Sequence, residues 1–577
     1  MNKFYSLLIF TTYIFTQVDA NYSFESKFAK DKDSSMKTPT FFENFVDINL
    51  YIDDLYVFAQ LEYSSPPLIG LSKENLSDAL NIFYIQSSND KIDLTIGNLY
   101  LLYGKGLSLH TYEDQNIDFD NSIYGIESIY HINDKFDFYT ILGRKEVRYR
   151  WSPSSKDPTL DIPNRVFSIG ASGYFNSFNF HFLSMFYEQD YNSENVDMMK
   201  LFDGLIGYYL SNGGVAQVNQ ELDYKMKNLE HNFSLSYFSN NIEINFEKSI
   251  VFYNKLFGER DRGSREYLSS YFNIRGFGNI FSNINLIIEH KDYNTPYLLS
   301  IFSNPPTGYR DSNSALASRN SHSLNFNNEF GHQVEINKTF DSGMFILLNY
   351  AFAMHHNDQW ENVIIDNSNP ENPDYGWIRN GEEDKVNVID LYGYLFNLLS
   401  NKNYIKHFEE YKPYRQLYFE FNDWDNKDQF YYKFGYDYYQ EYLVGKMVLS
   451  RTFPTQFTYK LKDGNSITIY FEYQDELKTN YDNIENNIIF KTSEKHFYWY
   501  LSPSYNHYGK WSCTMFYDKE KDGASWIGYD YTINLKNASQ LSLFYGSQKG
   551  GIVCANGSCV EQPDFEEGMK ATYRASF

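Results

Sequence analysis

The sequence is short of positive charge, of long apolar runs and of cysteine. Its 577 residues include 50 Lys and Arg against 74 Asp and Glu, which gives a formal net charge of −24. This acidity argues against a nucleic-acid partner, because phosphate recognition needs clustered cations. No stretch of about 20 apolar residues follows the N-terminal segment, which excludes a polytopic helical membrane protein.

Aromatic residues, in contrast, are abundant. The chain has 54 Tyr, 49 Phe and 7 Trp, so that 19% of its residues are aromatic although only 42% are hydrophobic. Intrinsically disordered chains are poor in aromatics, so disorder is excluded. The fold must therefore use many Tyr and Phe side chains that are dispersed among polar residues.

The N-terminus has the pattern of a secretory signal peptide. Lys3 precedes a mostly apolar run over 4–15, and residues 18–20, which end at Ala20, have the small-x-small pattern of a cleavage site. This order of charged start, short apolar core and small-residue exit predicts export through the general secretory route, with residues 1–20 removed and 21–577 forming the mature chain. The alternative is a buried N-terminal strand or helix.

Three cysteines occur, Cys513, Cys554 and Cys559. Cys554 and Cys559 enclose a turn-forming Ala-Asn-Gly-Ser segment, which predicts a small-loop disulfide in an oxidising compartment. A metal site or two free thiols are the alternatives, and the spacing lacks the second Cys/His pair of a zinc site. Cys513 lies in an alternating strand, where we interpret it as a small apolar residue.

Apolar and polar residues alternate with a period of two along most of the chain. The clearest example is 457–473, where two alternating runs flank the turn Asp463-Gly464-Asn465 and so predict a β-hairpin. Segments of this kind number roughly 20–24, many of them joined by tight turns. So many strands without helical periodicity need a sheet whose edge strands are not left unpaired and exposed.

Two architectures meet that need, a soluble solenoid or propeller and a closed membrane barrel. The first requires a fixed repeat length, which we do not find. The second requires alternating segments of about ten residues, short turns on one side and longer loops on the other, with aromatics at the membrane interfaces. The sequence therefore predicts an all-β, antiparallel, up-and-down transmembrane β-barrel of roughly 20–24 strands with long extracellular loops.

The last residues are consistent with such a barrel. From Met569 to Phe577 apolar and polar residues alternate, with Gly568 just before and Tyr573 on the apolar face. A final strand that ends in Phe resembles the C-terminal signal by which Gram-negative outer-membrane barrels are recognised for assembly. The expected partners are therefore outer-membrane lipid, lipopolysaccharide and the barrel-assembly machinery.

Three segments have distinctive residue patterns: 97–125, with Tyr103-Gly104-Lys105-Gly106-Leu107; 304–335, with Asn304-Pro305-Pro306-Thr307 and Arg319; and 544–551, which leads into the cysteine loop. In these segments the sequence resembles a family of large, functionally uncharacterised outer-membrane proteins of the Bacteroidetes group and its relatives. The resemblance implies a single barrel in the outer membrane and supplies no catalytic residues. The stretch 355–415 matches least.

Candidate sites are few. The stretch 355–415 departs longest from alternation, and we interpret it as a large loop insertion, either a lid or lumen plug or an ordinary solvated loop. Gly104 and Gly106 superficially resemble a phosphate loop, but the rest of that motif is missing, and a bend or bulge in a strand is favoured. A basic cluster, Arg144 with Arg148 and Arg150, would line the lumen or hold lipopolysaccharide phosphates at the rim.

No metal, cofactor or catalytic residue is predicted, because no catalytic or metal-binding motif occurs. The function that we expect is a non-enzymatic, porin-like channel for polar solutes, with the acidic charge favouring cations and neutral solutes if it lines the lumen. The alternative is a structural or surface-binding barrel with a filled lumen, whose loops bind a partner or glycan.

Overall fold

The structure is a computed structural model. It describes residues 18–32, 40–68, 72–75, 79–115, 117–149, 160–190, 225–253, 265–278, 284–294, 302–310, 314–320, 322, 324, 329–355, 360–366, 374–379, 413–425, 427–443, 446–484, 487–521, 523–536, 538–555 and 558–577. Most of the predicted signal peptide, residues 1–17, therefore lies outside the described residues. So does most of 355–415.

Twenty-four strands form one antiparallel sheet, which closes because the last strand pairs with the first. The barrel strands, β1 to β24 in chain order, are Val18–Asp31, Phe41–Ile52, Leu55–Ser64, Leu80–Ser88, Ile92–Leu99, Ile123–Asn133, Phe136–Tyr149, Leu160–Phe175, Phe178–Asp190, Lys225–Phe238, Ile242–Tyr253, Arg265–Gly276, Ile284–Tyr293, Glu329–Thr339, Phe345–Met354, Tyr414–Trp424, Phe430–Leu443, Lys446–Lys460, Ser466–Ile484, Asn487–His507, Trp511–Glu520, Ser525–Asn534, Gln540–Gln548 and Phe565–Ser576. The predicted all-β antiparallel barrel is confirmed, at the upper end of the predicted strand number.

Short elements outside the barrel sheet lie in the connections. Four two-stranded hairpins pair Leu102–Tyr103 with Leu109–His110, Glu113–Asp114 with Phe119–Asp120, Trp360–Asp366 with Asp374–Arg379, and Gly551–Ala555 with Ser558–Gln562. Among the described residues, two 3-10 turns span Ala317–Asn320 and Lys462–Gly464. Within the described part of the chain, no helix is both long and apolar enough to cross a membrane.

The connections differ between the two ends of the barrel. At one end, which we call the turn end, strands are joined by short turns such as 53–54, 134–135 and 176–177. Asp53 and Asn176 adopt positive φ there, of 49° and 53°, as tight hairpin turns require. At the other end, the loop end, the connections include 100–122, 294–328 and 549–564. This asymmetry is typical of barrels that cross an outer membrane, with the long loops outside the cell.

The outward face of the barrel is apolar and the inward face is polar. In β8, Phe167 and Ile169 are exposed whereas the neighbours Val166 and Ser168 are buried, so every second side chain faces out. Buried inward side chains include charged ones such as Glu247 of β11, which has no exposed surface. Apolar side chains that face outwards cost free energy in water but not in hydrocarbon, so the outer surface is suited to a bilayer.

Large aromatic side chains are exposed around the turn end, where they form one of the predicted girdles. The set is Tyr51, Phe136, Phe175, Phe178, Phe238, Phe430, Tyr459, Tyr508 and Phe577. Tyr and Phe rings are stabilised at the boundary between hydrocarbon and headgroups. The turn end therefore lies at one membrane surface, and the strands cross the bilayer from there.

The last strand closes the barrel. β24 pairs with β23 on one side and with β1 on the other. At its end, the backbones of Phe577 and Tyr22 exchange two hydrogen bonds, 2.9 and 3.2 Å long, and their rings stack at 5.4 Å. A Cβ on Gly568 would lie 2.1 Å from the carbonyl oxygen of Lys30, so this position needs glycine. The role of this strand in assembly stays a prediction.

Candidate functional site

Two connections from the loop end fold into the barrel and occupy its lumen. We call residues 100–115 and 117–122 the first plug loop, and residues 302–310, 314–320 and 322 the second plug loop. The wall carboxylates that hold the backbones of these loops are Glu247, the sixth residue of β11, and Glu472, the seventh of β19, both counted from the turn end. At 3.3 Å per residue these carboxylates lie about 17–20 Å along the strand from the turn end, close to mid-membrane depth.

Glu247 holds the first plug loop through backbone hydrogen bonds. Its carboxylate accepts the N–H of Lys105 and, at 3.2 Å, the N–H of Leu107. Beside it, the hydroxyl groups of Ser108 and Ser249 are 3.1 Å apart. Each such hydrogen bond contributes about 0.5–1.5 kcal/mol net, so this single side chain helps to fix the tip of the loop.

The Gly-x-Gly segment of this loop has a packing reason. Gly104 has a φ of +67°, and a Cβ there would lie 2.7 Å from the Glu247 carboxylate. Gly106 has a φ of +90°, and a Cβ there would lie 2.7 Å from the carbonyl oxygen of Asn304. The predicted bend in a barrel strand was therefore wrong, since both glycines lie in the turn of the short hairpin inside the lumen.

Glu472 holds the second plug loop in the same way. Its carboxylate accepts the N–H groups of Ala315 and Leu316, at 2.6 and 2.8 Å, and the hydroxyl of Ser314, at 2.7 Å. Gln474 donates to the carbonyl oxygen of Leu316 at 3.3 Å. The anion thus accepts the free N–H groups at the start of the 3-10 turn, groups that lack partners within the turn.

The two plug loops also bind each other. The N–H of His110 donates to the carbonyl oxygen of Phe302 at 2.7 Å, and the N–H of Asn304 donates to that of Gly106 at 3.0 Å. His110 Nδ1 lies 2.9 Å from the carbonyl oxygen of Asn304. The loops therefore form one body, so displacing either one disturbs the other.

This body spans the lumen from wall to wall. On one side the ring of Tyr103 stacks on Tyr139 of β7, with ring centroids 4.3 Å apart, and its hydroxyl donates to Glu127. On the other side the second plug loop contacts Glu472 of β19. Because β7 and β19 are twelve strands apart in a barrel of 24, the contacts lie on opposite walls.

The end of the second plug loop is fixed by a buried charge network. His322 stacks on Tyr414 at 4.1 Å, with Nδ1 2.6 Å from Glu441 Oε1 and Nε2 3.2 Å from Glu329 Oε1. Lys291 forms an ion pair with Glu329. Burial lowers the pKa of His322, but the two carboxylates outweigh it and raise the pKa to about 9. At neutral pH His322 is therefore a cation that donates to both carboxylates.

A third connection lies next to the second plug loop. Gly551, in the 549–564 connection, approaches the side chain of Arg319, which forms an ion pair with Asp518 of β21. Lys549 lies over the rings of Tyr498 and Trp526, at 4.8 and 5.0 Å. The three segments that carry the family resemblance therefore meet in the lumen, although they lie far apart in the sequence.

The predicted lid or plug over 355–415 lies largely outside the described residues, and the described loops that fill the lumen are different ones.

Of the basic cluster, Arg144 lies exposed on the outward face of β7, 5.9 Å from the Tyr124 ring, whereas the Arg148 side chain and Arg150 lie outside the described residues. Cys554 and Cys559 are register partners in their hairpin, and their disulfide stays a prediction. Cys513 is exposed.

Sequence analysis missed the plug loops. The available signal was the loss of alternation over 100–122 and 302–322, within two of the three segments that carry the family resemblance. Loss of alternation predicts a connection, but it does not tell a loop that folds inward from one that extends into solvent. That difference depends on partners such as Glu247, which is 142 positions from Lys105.

The closed sheet, its apolar exterior and its polar, filled interior define a transmembrane β-barrel. Residues 1–577 match the model of a family of unknown function (DUF6029), and the chain belongs to that family. This agrees with the uncharacterised family that the sequence resembles; the bacterial group stays a prediction. No curated protein matches the sequence.

Solved structures of other barrels are similar in fold alone. The siderophore receptor PirA from Pseudomonas aeruginosa is 7% identical, with a TM-score of 0.41 over 97% of this chain and 80% of that chain. The ferric enterobactin receptor PfeA from the same organism is 10% identical, with a TM-score of 0.47 over 97% and 80%. The copper transporter OprC is 9% identical, with a TM-score of 0.39 over 98% and 82%.

Proposed function

We propose that this protein is a loop-gated channel of the outer membrane, which passes polar solutes through the barrel when the plug loops withdraw. The observation that supports it is that a polar lumen is filled by loops that the wall holds through Glu247 and Glu472. Because water can replace such hydrogen bonds, each contributes only about 0.5–1.5 kcal/mol net to the filled state. A barrel of 24 strands is wide enough to conduct once the loops leave.

The channel that we propose differs from the porin-like pore that the sequence predicts, because its lumen is filled. A permanently open pore needs a free path, whereas both plug loops cross the middle of this barrel. The channel that we propose is non-enzymatic and conducts only in short openings. Both plug loops begin and end at the loop end, so their withdrawal is towards the cell exterior.

The cellular setting belongs to the same proposal. The chain is exported by the general secretory route and inserted by the barrel-assembly machinery, with Gly568, Tyr573 and Phe577 as the signal in β24. Lipopolysaccharide surrounds the loop end, where Arg144 faces outwards. Removal of Phe577 should lower the amount of assembled barrel in membranes without affecting export.

A reversible cross-link tests the channel. Because the hydroxyl groups of Ser108 and Ser249 are 3.1 Å apart, Ser108→Cys with Ser249→Cys should form a disulfide that ties the first plug loop to the wall. In planar bilayers we expect no openings from the oxidised double variant and restored openings after reduction. The single variant Ser108→Cys is the control and should not respond. Equal conductance before and after reduction would exclude gating by this loop.

The second candidate is a surface-binding barrel that never conducts. The filled lumen favours it, and so does the hairpin Trp360–Asp366 with Asp374–Arg379 at the loop end. In that case no variant of the plug loops would conduct, reduced or oxidised. Deleting 360–379 would abolish binding to a partner or glycan while the barrel stayed assembled.

A further inference from the structure

The plug loops bring positive charge to an acidic wall. Around Glu247 the inward face carries the carboxylates of Glu230, Glu243 and Glu289, with Arg275 as the register partner of Glu243. Cations of the plug loops lie opposite wall carboxylates in four places: Lys105 at Glu243, Arg310 at Glu335, Arg319 at Asp518, and His322 at Glu329 and Glu441. Withdrawal of the loops therefore removes four cations that are paired with wall carboxylates.

Two of the wall carboxylates have a buried amide beside them with an unused acceptor. Asn232, 1% exposed, donates Nδ2 to Glu247 at 2.7 Å, and its Oδ1 has no hydrogen-bond partner among the described residues. Asn349, which has no exposed surface, donates to Glu335 at 3.3 Å and likewise leaves its Oδ1 without a described partner. Buried acceptors without donors are rare and destabilising, so their presence needs a reason.

Both places have the same chemistry. Each combines a carboxylate with an amide oxygen, so each presents acceptors to a donor with positive charge. The present occupants are N–H donors of the chain itself, the backbone around Lys105 and, at 3.2 Å from Glu335, the guanidinium of Arg310. A solute that binds there after the loops withdraw must offer similar groups.

We propose that the pairs Glu247–Asn232 and Glu335–Asn349 are binding sites for an organic cation with several N–H donors, an amine or guanidinium compound, which replaces the plug loops on the wall. This inference rests on the proposed function and names its solute class. Charge-assisted hydrogen bonds from ammonium and guanidinium groups to carboxylate are among the strongest that water-filled sites offer. The plug loops act as an internal competitor, because their own cations occupy these carboxylates.

The probe is spermidine, titrated calorimetrically into the full-length protein in detergent micelles. Glu247→Gln and Glu335→Gln should each weaken binding about tenfold or more, the effect of losing one charge-assisted hydrogen bond. Arg310→Gln should strengthen binding, because it removes a competing cation. The matched control is Glu188→Gln, which removes a carboxylate from the outward face of β9, where Glu188 lies 3.9 Å from Lys227.

The inference predicts weaker spermidine binding in the two Glu variants and stronger binding in Arg310→Gln. Equal spermidine affinity in Glu247→Gln, Glu335→Gln and Glu188→Gln would overturn the inference. So would Mg²⁺ or Ca²⁺ binding to these carboxylates in place of spermidine, because the site would then be a hard-cation site. Calorimetry does not depend on conductance, so spermidine binding without channel openings would contradict the proposed function alone. Openings without spermidine binding would contradict only this inference.

Discussion

Glu472 offers the strongest test of how the lumen is filled. Replacing it with Ala removes the acceptor of three donors of the second plug loop, the N–H groups of Ala315 and Leu316 and the hydroxyl of Ser314. The hydroxyl of Tyr470, on the same strand as Glu472, loses this acceptor as well. A buried donor that loses its partner costs about 1–3 kcal/mol. Because water enters the space that the side chain leaves, we take the lower value for each donor, which gives about 3 kcal/mol. That free energy corresponds to about a hundredfold rise in the ratio of open to closed barrels.

The assay is single-channel recording in planar bilayers, with open probability as the measured quantity. Glu472→Gln should lie between the wild type and Glu472→Ala, because the amide keeps one acceptor oxygen and loses the charge. Glu188→Ala, on the outward face, should resemble the wild type. Heat-modifiable electrophoretic mobility would show that each variant remains a folded barrel. An unchanged open probability in folded Glu472→Ala would refute the reasoning.

Three further predictions concern single positions. Gly104→Ala places a Cβ against the Glu247 carboxylate at a positive φ, and the cost of about 1 kcal/mol should raise the open probability about fivefold. The control is Gly343→Ala, which is also at positive φ but has no atom near the added Cβ, and it should leave the open probability unchanged. Because the pKa of His322 is raised, its charge stabilises the filled lumen fully below pH about 6.5, and this stabilisation is lost as pH rises through about 9. Channel openings should therefore become more frequent as pH rises through about 9. The variant His322→Gln should not show this pH response. Peptide mass spectrometry without reductant should find Cys554 linked to Cys559; alkylation of both thiols would contradict the disulfide.

The barrel itself could be predicted from the sequence because its signals are local. Alternation along each strand, as over 457–473, sets which side chains face lipid, and turn residues such as Asp463 and Gly464 set where the chain reverses. Short strands and exact boundaries were less certain, so the count of 24 came from the structure. The closure between β1 and β24 followed from the need to leave no free edge.

The filling of the lumen could not be predicted in the same way. Lys105 and Glu247 are 142 positions apart, and Ser314 and Glu472 are 158 apart, so neither contact leaves a local pattern. The longest irregular stretch, 355–415, was the natural candidate for a plug, yet length does not decide whether a loop turns inwards. Gly104 is an example of a residue that local sequence does not explain. Glycine is needed there because a Cβ would clash with the Glu247 carboxylate, which lies on a strand distant in the sequence.

The sequence by itself determined a closed sheet with an apolar outside and a polar inside, since a period of two acts residue by residue along each strand. Only the tertiary structure decided that the polar inside is occupied. Closing the sheet brings opposite walls such as β7 and β19 to face each other across a space that two loops can bridge. The N–H groups of these loops donate to Glu247 of β11 and Glu472 of β19. Unpaired buried carboxylates are costly, which is the physical reason that such distant segments meet.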